Sequence, residues 1–344
     1  MPDSQIFRCG PLQREYSRYL LPVFLLCCAA TLVIIISALS IGEVVFSLPQ
    51  TLGLLFEPDT SAQSFILHEL RLPRVILALL AGAGLGIAGL IMQTLVRNPL
   101  ASPDTLGVTT GASVGALVWL SFFSLEYGSS AMPYAAMAGA TVAVGLIFLL
   151  SWRSGATPLR LVLTGVGVSA LAGAGVTLIL VFSPLTTTFS AWVWLSGSVY
   201  AASWEKVRQL LGIYVWALPI LLVLLRYMKV LQLNDHLAMG LGVAIHPRRI
   251  LLLLACVILS AGAISLVGAM AFVGLIAPHL GRLILRSGGF VSQLLITACC
   301  GGCMVIIADL LARTLFLPAD LPAGVFVALA GAPLFLWLLI RQRT

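Results

Sequence analysis

The feature that most constrains this chain is a succession of unbroken apolar runs, each about 17–25 residues long. That is the length a helix needs to cross a hydrocarbon core of roughly 30 Å. In lipid every backbone polar group must be satisfied within the protein, which leaves helices or closed barrels. The runs are continuous rather than alternating, so helices are expected. With 60% hydrophobic and 9% charged residues, the chain lacks the charge a soluble domain needs to cover its surface. The fold class is therefore all-α, a polytopic integral membrane protein with a single transmembrane domain over residues 1–344.

Ten spans are read, at about 20–41, 72–95, 106–125, 132–151, 159–182, 209–228, 250–266, 268–286, 292–315 and 322–340. The run from Leu20 to Ile41 exceeds the apolar core of a signal peptide and is taken as an uncleaved first span. From Ile250 to Arg286 the chain is too long for one crossing and tight for two, and Gly268 is the expected break. An even number of spans places both termini on one side. With that side taken as cytoplasmic, 14 of the 19 Lys and Arg residues lie inside. The five outside are Arg71, Arg74, Lys206, Arg208 and Arg313, and this bias supports the orientation.

The net charge of +7 raises nucleic acid as a partner, but the basic residues stand singly or in pairs at the ends of apolar runs. No basic patch with interleaved aromatics exists, so no nucleic-acid role is expected. Six of the seven cysteines lie within apolar runs and read as small packing residues. Cys300 and Cys303 have metal-ligand spacing but no second pair and no nearby His, so no metal site is expected. There is no G-x-x-x-x-G-K-[ST] loop, so ATP, if used, is bound with its Mg by another subunit, and this chain carries no cofactor of its own.

Five segments stand out. Arg71-Leu72-Pro73-Arg74 puts two arginines on the outer side, against the charge rule. They read either as snorkelling anchors or as a patch that docks an acidic partner through bidentate pairs. Arg97-Asn98-Pro99-Leu100-Ala101-Ser102-Pro103-Asp104 contains two prolines that exclude a continuous helix. It is either a turn or irregular backbone lining a cavity. Leu233 to Val243, in the longest cytoplasmic loop (about 229–249), is patterned as a short amphipathic helix with a glycine stop. It is a surface loop or a knob for a groove on a cytoplasmic subunit. Pro278-His279 lies within a span, where His279 either takes part in a proton relay or satisfies a carbonyl freed by Pro278. Asp309 and Arg313 are spaced to pair on one helix face. A lone intramembrane carboxylate also suits a proton- or sodium-coupled carrier, which is the competing class. A membrane enzyme is a third class, and no catalytic cluster supports it.

The stretches RLPR…GAGLGIAGLIMQTLVRNPLASPDTLGV, LGV in the cytoplasmic loop, AFVGLIAPHLGR, and ADLLAR…LPAGVFVALAGAPLFLWLL occur in this order over nearly the whole chain. Together they resemble the FecCD type of permease, from ABC importers of iron–siderophores, haem and cobalamin. The resemblance implies ten transmembrane helices, and a second permease, identical or homologous, enclosing a path at the dimer interface. It also implies two cytoplasmic ATPases and a periplasmic binding protein that delivers the chelate. Docking arginines would fall on Arg71, Arg74 and Arg313. The ATPase coupling segment would fall on Asn234, Asp235, His236, Leu237, Ala238, Met239, Gly240, Leu241, Gly242 and Val243. A cytoplasmic gate would fall on Asn98, Pro99 and Leu100 and on Thr157, Pro158 and Leu159. The motifs sit closer to ferric-siderophore or ferric-citrate members than to haem or cobalamin members. The implied location is the bacterial inner membrane, with both termini cytoplasmic.

Overall fold

The computed structural model describes residues 4–9, 12–17, 20–152, 158–232, 235–240, 242, 244–285, 289–316 and 319–341. Among the described residues, ten helices of 12 or more residues make up the bundle. They are α1 (Leu20–Ser40), α2 (Leu72–Val96), α3 (Val108–Phe122), α4 (Met132–Trp152) and α5 (Pro158–Phe182). The chain continues with α6 (Trp204–Leu224), α7 (Ile245–Val267), α8 (Val273–Ile284), α9 (Phe290–Thr314) and α10 (Ala323–Arg341). Among the described residues, seven helices are long and apolar enough to cross a membrane alone, and α3, α8 and α10 contribute shorter apolar stretches. An antiparallel hairpin, β1 (Ser4–Cys9) and β2 (Leu12–Ser17), precedes them, with Ser4 opposite Ser17. The apolar pattern carries no signal for it.

The helix ends differ from the expected ones where capping overrides hydropathy. α6 starts at Trp204 rather than 209, because the Ser203 side chain accepts from the Lys206 amide at 3.4 Å and caps the first turn. Charged Glu205, Lys206 and Arg208 are thereby helical although they interrupt the apolar run. α7 ends at Val267, and Gly268 turns the chain with φ 76°. Helix does not resume until Val273, because Phe272 also adopts a left-handed conformation, φ 66°. At 12 residues α8 is about 18 Å long, too short to cross a bilayer unaided. It is enclosed instead, packed against α2 and α9.

α2 is the hub. It packs on α9, α7, α8 and α6, and 17 of its 25 residues are buried. Close approach is possible because two crossings are lined by glycine. A Cβ on Gly82 would stand 2.2 Å from the Gly301 carbonyl oxygen of α9, and one on Gly89 would stand 1.7 Å from that of Gly274 in α8. Helix association in lipid depends on such packing, since apolar surface gains little by leaving the hydrocarbon. α1 lies at the edge and packs on α9, with Thr31, Ala38 and Leu39 its buried residues. After α1 comes a separate short helix at Leu48–Phe56, and from Ala62 the chain runs on into α2 without a break, through a helical turn at Ala62–Phe65 and a π-helical stretch at Ile66–Arg71.

Candidate functional site

The bundle carries irregular backbone and charge at its two ends, and the sequence-derived sites fall there. At one end α1 stops beside the start of α2 and the end of α9. The last carbonyls of α1 have no partners within their own helix. Two guanidinium groups supply them. Arg71 Nη1 donates to Leu39 O at 2.7 Å and Ser40 O at 3.2 Å, and Nη2 donates to Val44 O. Arg313 Nη2 donates to Ala38 O. The Arg71 guanidinium also lies 4.6 Å from the Phe46 ring centroid. Gly42 permits this approach, since a Cβ there would fall 2.7 Å from Arg71 Nη2.

Arg74 faces carboxylates instead. Its Nε donates to both oxygens of Asp309 at 2.9 and 3.0 Å, and its Nη2 to Asp309 Oδ1 at 2.7 Å. The far side of the same guanidinium reaches both oxygens of Asp320, at 2.8 and 2.9 Å. Tyr200 stands beside it, with its ring centroid 5.6 Å away. Asp309 is 2% exposed, and such a carboxylate in a bundle must be paired. The expected helical neighbour is its lesser partner, for Arg313 Nε is 3.6 Å from Asp309 Oδ2.

Arg71, Arg74 and Arg313 are thus brought together, lining one cavity of about 540 Å³ with Gly42, Glu43, Tyr200 and Asp320. They do not form an exposed basic patch. Arg71 is 6% exposed and Arg313 8%. With Asp309 under Arg74, three arginines meet three carboxylates, so the formal charge of the cluster is zero. Glu43 and Tyr200 were not singled out from the sequence. Asp320 had a usable signal, as an acid two residues before Pro322 at the start of an apolar run, but Tyr200 had none.

At the other end Arg97 closes α2 in a left-handed conformation, φ 54°, and its Nε and Nη2 each reach Leu231 O at 3.2 Å. Asn98 then folds the loop on itself, its Oδ1 accepting from the Leu100 amide at 3.0 Å. Asn98 and Pro99 are exposed and Leu100 is half-buried. The loop re-enters the protein at Pro103–Leu106, a 3-10 turn packed against α5, where Gly165 lies against Thr105 O. Thr109 donates to Asp104 within this turn. Removal from water pushes the Asp104 carboxyl up, against the lowering effect of hydrogen bonds from Thr109 and Ser102. A cavity of about 330 Å³ opens here, walled by Arg97, Asn98, Pro99, Gln232, Arg282 and Gln293 among others. Gln93 bridges it inward, its Nε2 donating to Leu275 O at 3.2 Å while its Oε1 accepts from Arg282 Nη2 at 2.6 Å. His279 is half-buried nearby, one helical turn from Arg282. Pro158 and Leu159 begin α5, where Leu159 is 69% exposed, and Thr157 lies outside the described residues.

In the long loop Asp235–Gly240 is a one-turn helix, and Gly242 follows with φ 77° and its amide on Met239 O at 2.8 Å. Ala238 is buried, whereas Leu237 is 62% and Met239 51% exposed, so two apolar side chains project from the tip. Asn234, Leu241 and Val243 lie outside the described residues, as do the side chains of Asp235 and His236. The six described transmembrane cysteines are free thiols. Cys303 contacts Thr31 Oγ1 at 3.2 Å, joining α9 to α1. Among the described residues no group of three metal-ligating side chains converges.

Three comparisons bear on this arrangement. The model of the FecCD transport family matches residues 30–341. The achromobactin transport system permease protein CbrC of Dickeya dadantii is 47% identical over all of this chain and 98% of its own length. The ferric enterobactin transport system permease protein FepG of Escherichia coli is 37% identical, over 95% of this chain and 98% of its own. The Fe(3+) dicitrate transport system permease protein FecD of the same organism is 39% identical over 81% and 86%. Among solved structures, an inward-facing protein assigned to the metal-chelate type of ABC transporter superposes with a TM-score of 0.82. It is 31% identical and covers 93% of this chain and 99% of its own.

Proposed function

The chain belongs to the FecCD transport family, and from that premise we propose that it is the membrane-spanning permease of an ATP-driven importer, carrying a ferric siderophore or ferric citrate-like chelate from periplasm to cytoplasm. The observation that carries this reading is the end-to-end match to relatives named for achromobactin, ferric enterobactin and Fe(3+) dicitrate. The permease performs no covalent chemistry. Two ATPase subunits bind ATP and Mg and supply the work, a second permease completes the path, and a binding protein delivers the chelate. The protein sits in the inner membrane with both termini in the cytoplasm.

The geometry supports a role for each end. Leu237 and Met239 project as an apolar knob of the kind that fits a groove on a partner. Asn98, Pro99 and Leu100, with Pro158 and Leu159, form the inner gate. The arginine cavity receives acidic side chains of the binding protein. Because the cluster is neutral as built, an incoming carboxylate gains its arginine by exchange. Asp320, with a side chain 24% exposed, is the resident that yields most readily, while Asp309 stays beneath.

The test is ATPase activity of the reconstituted complex, with candidate ATPase and permease partners, on adding binding protein with and without ferric chelate. Stimulation by the loaded protein, lost when Leu237→Asp and Met239→Asp are introduced together, supports the reading. Uptake that follows a proton gradient with no ATPase attached overturns it. The competing proton-coupled carrier would need Asp309 released from Arg74, whose Nε and Nη2 both donate to that carboxylate.

A further inference from the structure

A recess in the side of the bundle lies apart from both functional ends. It measures about 430 Å³ and is walled by Pro133, Tyr134 and Met137 of α4, Gly212, Ile213 and Trp216 of α6, and residues of α7 behind them. Its lining is almost entirely apolar, so water has no partners there. Gly212 makes the opening, and helix packing does not demand a glycine there, because a Cβ at this position would meet nothing within 4 Å. That contrasts with Gly82 and Gly89, whose missing side chains are filled by neighbouring backbone. Trp216 (75% exposed) and Tyr134 (60% exposed) flank the gap.

Position within the bundle identifies the occupant. α4 and α6 both begin at the arginine end, to which α6 is tied by Trp204 Nε1 donating to His68 O at 3.0 Å. Gly212 therefore lies in the third turn from that end, at the depth of one leaflet's acyl chains. Arg208 precedes Gly212 by four residues, so it stands directly above the recess on the same helix face, and it is exposed. Gln209, which lines the recess, donates to Glu205 at 3.2 Å. Glu205, Lys206 and Arg208 together leave this rim with one positive charge. A second copy is a poorer occupant, since α6 packs on α7 and α2 while the broadly exposed faces of α5 and α10 lie on other elements.

We propose that this recess is a binding site for a single anionic phospholipid. Its acyl chain fills the space beside Gly212, between Met137 and Trp216, and its phosphate pairs with Arg208. The recess cannot stay empty in a bilayer without losing van der Waals contacts along its whole wall, and a chain that fits it is held more tightly than bulk lipid.

The experiment uses the full chain purified in a delipidating detergent, incubated with phosphatidylglycerol or phosphatidylcholine and read by native mass spectrometry. The wild type is expected to retain one phosphatidylglycerol and to prefer it to phosphatidylcholine. Arg208→Gln is expected to reduce that preference about fivefold, corresponding to the ~1 kcal/mol typical of one basic residue near an anionic surface. Gly212→Leu and, separately, Met137→Trp are expected to lower retention of both lipids several-fold while the protein stays monodisperse. Two fillings from different helices guard against one variant failing to fold. Retention unchanged by both fillings overturns the site. A preference that Arg208→Gln leaves intact overturns the headgroup assignment. Loss of a chain–chain dimer in the filled variants would assign the recess to a second copy and overturn the proposal.

Discussion

α2 and α5 are each 25 residues long, apolar and rich in glycine, yet they occupy opposite environments. In the most apolar stretch of each, 72% of the residues around α2 are buried but only 6% of those in α5. The glycines of α2 are consumed by contacts within the chain, with Gly82 against Gly301 and Gly89 against Gly274. On α5 only Gly165 is used in that way, against Thr105 of the re-entrant turn, while Gly167 and Gly173 face open space. Leu163 and Leu171 flank Gly167 at helical spacing and are 63% and 75% exposed. The same residue type thus serves closure inside the bundle on one helix and an unfilled face on the other. Small residues read in isolation cannot tell these two uses apart.

The comparison can be broken in order of expected effect. Gly89→Leu should be the most damaging change, because no side chain can be accommodated beside the Gly274 carbonyl. No monodisperse protein is expected on fluorescence-detected gel filtration, and a well-folded variant would refute the account of α2. Arg74→Ala should come next. It leaves Asp309 buried without its main partner, a loss of about 3–5 kcal/mol, to be read as a lowered thermal unfolding midpoint. Gly167→Leu should shift that midpoint little, within about 0.5 kcal/mol, yet abolish chelate uptake in reconstituted vesicles. Normal uptake would show that the open face of α5 does not bear on the path. Asp320→Asn should be mildest for the fold, within about 1 kcal/mol. It frees one side of Arg74 and should tighten binding-protein affinity measured at low salt, where an unchanged affinity would count against exchange at this arginine.

The helical membrane fold was legible because hydrocarbon imposes one rule on every span, and that rule acts on runs long enough to read. Helix ends were less legible, since they are set by single caps and turns. Ser203 extends α6 by a capping bond, and Phe272 delays α8 through a backbone conformation that its side chain does not announce. Arg71 and Arg74 could be picked out because they stand against the expected charge bias of the loops, and Arg313 through its spacing to Asp309. Their surroundings could not. Asp309 pairs with Arg74, 235 residues away in sequence, rather than chiefly with Arg313 four residues on. A pairing rule within one helix has no access to such a neighbour. Nor does the sequence show that the three arginines meet three carboxylates in one mostly buried cluster.

The clasp of Arg71 and Arg313 on the end of α1 sets an order on the making of the protein. α1 leaves the ribosome before the other nine helices of the bundle, and it buries little of itself against the rest. Its closing carbonyl at Leu39 gains a donor only when Arg71 has been synthesised, and the one at Ala38 waits for Arg313, a further 242 residues along. Water must serve those oxygens in the interval. That end of α1 is therefore completed only when α9 has been made, and a nascent chain stopped before α9 would carry α1 with the Ala38 carbonyl still open.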